Sequence, residues 1–273
     1  ADVLRGVVNK CTALDQKQIG DVIVGCAMPE GEQGMNVARI GLLLAGLPDS
    51  VPGLTINRFC ASGVQAVAQA ADRIRLGEAD VMLAAGTETM TMIPMGGNKI
   101  ALNPAVFAKD ENIGIAYGMG LTAENVAKQW KVSREDQDAF AVESHRRASA
   151  AMASGEFKPE ILPYTVIDRF PDSQTMQVKV RERLVENDEG PRFDCNLQAL
   201  AKLKPAFAVR GSVTAGNSSQ MSDGAGAVLL MSERLVKQLG LKPLARFVSY
   251  AVVGVSPRIM GIGPIAAIPR ALE

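Results

Sequence analysis

The chain has 273 residues, enough for one large domain or two smaller ones with a sizeable core. Lysine plus arginine and aspartate plus glutamate both total 29, so the formal net charge is zero and no global basic field exists to hold nucleic acid. No stretch approaches a membrane span, no basic-then-apolar signal opens the chain, and the four cysteines (Cys11, Cys26, Cys60, Cys195) lack metal-type paired spacing. Free thiols, a cytoplasmic location and neither a membrane nor a nucleic-acid partner are the expectations.

In chain order, Val3, Leu4, Val7 and Val8 make the stripe of an amphipathic helix. Residues 21–26 are a nearly continuous apolar run that suits a buried parallel strand. A helix over 36–45 is stopped by Gly46-Leu47-Pro48. Next, Leu54-Thr55-Ile56 reads as a strand that passes through Asn57-Arg58-Phe59 to Cys60 and turns at Ala61-Ser62-Gly63. A helical pattern follows, carried by Val64, Val67, Ala68 and Ala71, with Ser62 expected as its N-cap. Gly77 ends that helix, and residues 80–85 are another buried strand. Strands alternating with helices predict a mostly parallel sheet covered on both faces, an α/β fold.

The rhythm breaks after Met90. Residues 91–112 read as loop, and two helices follow over 121–130 and 133–154. The second carries Ser133 as N-cap with Asp136 three residues on. Prolines and alternating apolar and charged residues over 157–192 suggest hairpins or edge strands. Residues 91–211 are therefore expected to form an inserted loop domain within the sheet core. The core resumes with a polar turn at 215–219, a buried strand over 225–231 and a helix over 233–240. A further strand over 245–255 and a helix from Met260 complete the reading.

Cys60 is the main chemical candidate. A thiol at the start of a helix lies near the positive end of the helix dipole, which favours negative charge on sulfur. The small residues after it leave room for a substrate carbon. The alternative is that Cys60 is a small apolar filler, as most free cysteines are.

The segment NRFCASGVQAVAQAADRIRLGEADVMLAAGTETMTMIP resembles the nucleophile segment of the thiolases, the 3-ketoacyl-CoA thiolases and acetyl-CoA acetyltransferases. The resemblance runs almost the length of the chain and implies a thiolase-like layered core. Residues 1–90 and 212–244 would form its N-terminal half, without the first strand. Residues 91–211 would form the coenzyme A-binding loop domain, and residues 245–273 would begin the C-terminal half. It implies that Cys60 accepts an acyl group from 3-ketoacyl-CoA and passes it to free CoA, with the Cys60 N–H available to the carbonyl oxygen. Arg192 would lie over the CoA adenine or its phosphates. Phe207, Ala215 and Ser219 would line the pantetheine channel, and Met119 and Met260 the acyl or pantetheine pocket. Without the resemblance, the bland readings are a solvated charge for Arg192 and core packing for the methionines. Some thiolases have a histidine where Gly118 stands here, a departure that bears on the CoA contacts.

The single histidine, His145, falls on the polar stretch of a helix and is expected to be solvated rather than the base for Cys60. The family's activating histidine, second cysteine and Asn-Glu-Ala-Phe-like segment have no match, so the chain is expected to be a piece comprising about the first two-thirds of a thiolase. CoA would be a substrate, with no resident cofactor or metal, and the subunits would form a homodimer or homotetramer. Acetoacetyl-CoA synthesis is the alternative reaction. A non-catalytic CoA- or lipid-binding module is the alternative of another class.

Overall fold

A computed structural model describes residues 1–273, which form two compact units: residues 1–117 with 221–273, and residues 118–220. The second unit begins and ends later in the chain than the insertion expected over 91–211, with which it shares residues 118–211.

The first unit is built on a four-stranded sheet. Helix α1 (Asp2–Asn9) precedes β1 (Ile19–Gly25), α2 (Val37–Leu44) precedes β2 (Gly53–Ile56), and α3 (Ser62–Arg75) precedes β3 (Val81–Glu88). The strand order is β2-β1-β3 followed by a strand from later in the chain. Strand β1 runs parallel to both β2 and β3, as the alternation of strands and helices predicted.

Side chains alternate across this sheet. Val22, Val24, Val81 and Leu83 join Leu4 and Val8 of α1 and Ala38 and Leu42 of α2 on one face. Ile23, Met82 and Ala84 meet Ala66 and Ala70 of α3 on the other. Val22, Leu42, Val81, Met82 and Leu83 are wholly buried. Each such side chain contributes about 1.5–3 kcal/mol of transfer free energy. The alanines of α3 let its axis settle close against the strands.

Two expectations for the return of the chain are corrected. The run at 225–231 does become a strand of the sheet, but as an antiparallel edge strand that is only half covered. Val81 of β3 stands opposite Met231, and Glu88 opposite Gly224. A strand with a neighbour on one side only leaves residues such as Val228 exposed. Residues 245–255 form no strand. Their apolar character alone makes no ladder, since strand geometry is held by hydrogen bonds to a paired neighbour. Helix 233–238 is capped by the Ser232 hydroxyl, which accepts from the Leu235 N–H at 3.2 Å, and a final helix covers Gly263–Leu272.

The second unit contains α4 (Met119–Trp130), α5 (Arg134–Ser154), the hairpin strands β4 (Tyr164–Asp172) and β5 (Gln177–Val185), and α6 (Leu197–Ala201); the edge strand above is then β6 (Gly224–Met231). Helix α5 opens with the predicted capping box between Ser133 and Asp136 and ends at Gly155, whose φ of 77° is left-handed. Strands β4 and β5 pair antiparallel, as their alternation suggested. No helix is long and apolar enough to cross a membrane.

Candidate active site

The parallel strands β1, β2 and β3 all finish at the same edge of the sheet, where open α/β sheets place their ligands. Cys60 belongs to the turn that leaves β2 there and enters α3. Its thiol is exposed, as the nucleophile reading requires and the filler reading does not.

The turn is tightly specified. Phe59 has a φ of 47°, a left-handed conformation that costs a non-glycine residue about 1 kcal/mol or more. Hydrogen bonds hold it there. The Phe59 N–H donates to Asn57 Oδ1 at 2.7 Å, and the Phe59 carbonyl accepts from both the Ser62 hydroxyl at 2.6 Å and the Ser62 N–H at 3.0 Å. Ser62 is not the N-cap that the sequence suggested. Ala61 occupies that position, and the buried Ser62 hydroxyl serves the turn instead, also accepting from the Arg58 N–H at 2.8 Å. The reason is that left-handed Phe59 folds the preceding backbone over the first turn of the helix.

Behind the turn lies a network that sequence reasoning missed. Glu88, the last residue of β3, accepts from the Ala27 and Met28 N–H groups at 2.7 and 3.2 Å and from Gln33 Nε2 at 2.5 Å. The Ala27 carbonyl accepts in turn from Asn57 Nδ2 at 2.9 Å. Buried Cys26 points its Sγ at Glu88 Oε1, 3.8 Å away. Burial, reinforced by the Glu88 charge, pushes the Cys26 thiol up to about 11. Cys26 is thus a protonated interior thiol, distinct from Cys60. A carboxylate closing an otherwise apolar strand (VMLAAGTE) was the available signal for Glu88.

Met260 also belongs to the first unit and is half-exposed in the turn Pro257–Ile262. That turn is tied to residues 110–117 by Arg258, which donates to the Asp110 carbonyl at 2.6 Å and lies over the Tyr117 ring.

The other five candidates lie in the second unit. Met119 opens α4 and is half-exposed. Phe207 packs its ring flat on the neighbouring Gly120, where an added Cβ would fall 2.1 Å from the ring. Phe207 thus lies against the first turn of α4, which Met119 opens. Ala215 and Ser219 are exposed on the 212–219 segment, which is held from beneath. Glu124 of α4 accepts from the Ser212 and Val213 N–H groups at 3.0 and 2.8 Å. Asn217 donates to Asp138 of α5 at 2.9 Å and accepts from the Thr214 N–H at 2.7 Å. Asp138, almost fully buried, also pairs with Arg134 at 2.8 Å.

Arg192 is exposed, and its backbone N–H donates to His145 Nδ1 at 3.1 Å. His145 is thus not merely solvated: it tethers the Arg192 segment to α5. Nothing in helical periodicity could show that contact across 47 residues. No group of three or more His, Cys, Asp or Glu side chains is arranged to hold a metal ion.

Comparisons with known proteins show the family and the fold. The family model described as "Thiolase, N-terminal domain" matches residues 1–234. A 3-ketoacyl-CoA thiolase of Bacillus subtilis (strain 168) is 50% identical over 257 residues, which cover 93% of this chain and 64% of that protein. A peroxisomal 3-ketoacyl-CoA thiolase 5 of Arabidopsis thaliana is 47% identical over 275 residues, covering 100% of this chain and 59% of the relative. The chain thus spans about three-fifths of the length of these two relatives. Among solved structures, the Bacillus anthracis acetyl-CoA acetyltransferase superposes with a TM-score of 0.81 at 38% identity, covering 99% of this chain and 69% of that one.

Proposed function

We propose, since the chain belongs to the thiolase family, that its protein is an acyl-CoA C-acyltransferase that cleaves 3-ketoacyl-CoA with coenzyme A, as in fatty-acid β-oxidation. The observation that carries this reading is the exposed Cys60 thiol in the braced turn at the carboxyl edge of the parallel strands.

In the first half-reaction the Cys60 thiolate attacks the 3-keto carbon. The S–C bond forms, the bond between carbons 2 and 3 breaks, and its electron pair leaves on the two-carbon fragment, which takes a proton to become acetyl-CoA. In the second, the thiol of free CoA attacks the acyl carbon and gives up its proton. The shortened acyl-CoA leaves and the Cys60 thiolate returns. A thiol suits both steps because it is a strong nucleophile and a good leaving group. The Cys60 N–H is the donor this chain offers to the developing oxyanion.

Arg192 would take the CoA adenine or phosphates, since a guanidinium both stacks on a purine and pairs with phosphate. Phe207, Ala215 and Ser219 would line the pantetheine path, and Met119 and Met260 would each serve as an acyl- or pantetheine-pocket residue. CoA is then a substrate, and the protein a homodimer or homotetramer. Four free thiols fit a reducing compartment, for which we name the cytoplasm.

The names of the Bacillus subtilis and Arabidopsis relatives support the degradative direction. The name of the Bacillus anthracis structure keeps acetoacetyl-CoA synthesis as the alternative.

Intact-protein mass spectrometry of the full-length protein incubated with acetoacetyl-CoA tests the reading. An acetyl-sized gain that Cys60→Ser abolishes is expected. Binding of CoA with no acylation would overturn it in favour of a non-catalytic binding module.

A further inference from the structure

Three strand ends meet behind the Cys60 turn, and a single file of hydrogen bonds joins them. Glu88 at the end of β3 fixes the Ala27 amide just past β1 at 2.7 Å. The Ala27 carbonyl, on the same residue, receives Asn57 Nδ2 just past β2 at 2.9 Å. Asn57 Oδ1 receives the N–H of Phe59, the residue bonded to Cys60, at 2.7 Å.

We infer that Asn57 and Glu88 are positioning residues for the Cys60 nucleophile, joined through the Ala27 peptide into a relay that registers the turn against the sheet. This rests on the reading of Cys60 above. It deepens that reading by naming what holds the sulfur in place.

The geometry exceeds what an ordinary Asn turn needs. Such a turn uses the Asn oxygen alone and leaves the amide nitrogen to solvent. Here both ends of the side chain are engaged, so its orientation is fixed and it cannot swing with the loop. Ala27 is also gripped on both its N–H and its carbonyl. Glu88 is pinned from two more sides by the Met28 N–H and Gln33 Nε2, and Gln33 is itself buried and accepts from the Thr89 N–H at 2.9 Å. A non-glycine residue persists in the left-handed region only where its surroundings over-determine it. Phe59 meets that condition, and Asn57 supplies the one bond to its N–H. Without that bond Phe59 relaxes toward ordinary φ, and Cys60, the next residue, turns with it. Neither Asn57 nor Glu88 has any need to touch substrate.

The test uses the full-length protein and follows the rate of Cys60 acylation against acyl-CoA concentration. Asn57→Ala should lower the saturating rate by about tenfold or more, as expected when a reacting atom is displaced by a fraction of its reach. The half-saturating concentration should move less than about threefold, a split that general destabilisation would not produce. Glu88→Gln should act in the same direction, and the double variant should lose less than the product of the single losses. Asn57→Asp, which keeps the acceptor for Phe59 but not the donor for Ala27, should fall between wild type and alanine. It carries the test alone if the alanine variant does not fold.

A saturating rate within twofold of wild type, a change confined to half-saturation, or fully multiplicative losses would overturn the relay. If the wild type never acylates, the acyltransfer reading fails instead. Alkylation of Cys60 by iodoacetamide then decides the inference: slowed in Asn57→Ala it stands, unchanged it falls.

Discussion

Gly25, the last residue of β1, lies against Ser62, the first residue of α3, so closely that a Cβ on Gly25 would stand 2.5 Å from the Ser62 carbonyl carbon and 2.7 Å from the Gly63 nitrogen. The start of the helix rests directly on strand backbone. That approach sets the height of the Cys60 turn above the sheet. Gly25→Ala must move backbone, not a flexible side-chain end. It should cost about 1–3 kcal/mol, the usual penalty for overpacking. Thermal denaturation should show the loss, and iodoacetamide labelling should show Cys60 reacting at an altered rate while Cys26 stays protected.

The Arg134–Asp138 pair supports the segment that bears Ala215 and Ser219. Asp138 is nearly sealed from solvent and is shared between Arg134 and Asn217, while Arg134 also donates to the Leu200 carbonyl. Asp138→Ala leaves Arg134 without its counter-charge and Asn217 Nδ2 with only the Ser212 carbonyl, at 3.1 Å, as acceptor. The expected cost is about 3 kcal/mol, in line with broken buried pairs elsewhere. Urea denaturation followed by proteolysis should locate the loss in residues 118–220.

His145 offers a way to separate binding from chemistry. His145→Ala removes the acceptor for the Arg192 N–H and frees the segment that presents its guanidinium. Under the proposed function, KM for CoA should rise several-fold while kcat stays near wild type, because the acylation chemistry at Cys60 does not involve this contact. An unchanged KM would separate Arg192 from CoA recognition.

The Cys26 thiol predicts an alkaline weakness. The folded chain holds this proton more tightly than the unfolded chain, whose thiol titrates in the ordinary range near 8.5. Its contribution to stability is therefore fully present below that range and lost as pH rises toward about 11. Urea midpoints measured from pH 8 upward should fall more steeply for the wild type than for Cys26→Ala. The gap between the two proteins should narrow across that window.

Local sequence determined the elements whose signals are complete within a few residues. The stripe of α1, the apolar runs of β1 and β3, the Ser133–Asp136 capping box and the strand, turn and helix around Cys60 need only their own spacing to be read. Cys60 could be singled out for the same reason, since a thiol between a strand and a helix is a local fact. Tertiary structure decided whatever depended on a distant partner. The run at 245–255 finds side chains of α3 but no neighbouring strand and so makes no ladder, and β6 is an antiparallel edge strand because only β3 receives its hydrogen bonds. The Ser62 hydroxyl was claimed by Phe59 instead of the helix end. Glu88, Asn57, Asp138 and His145 acquired their work from groups 30 to 79 residues away. A polar side chain carries no mark of its eventual partner, because the hydrogen bond exists only after packing has excluded water and brought donor and acceptor into line.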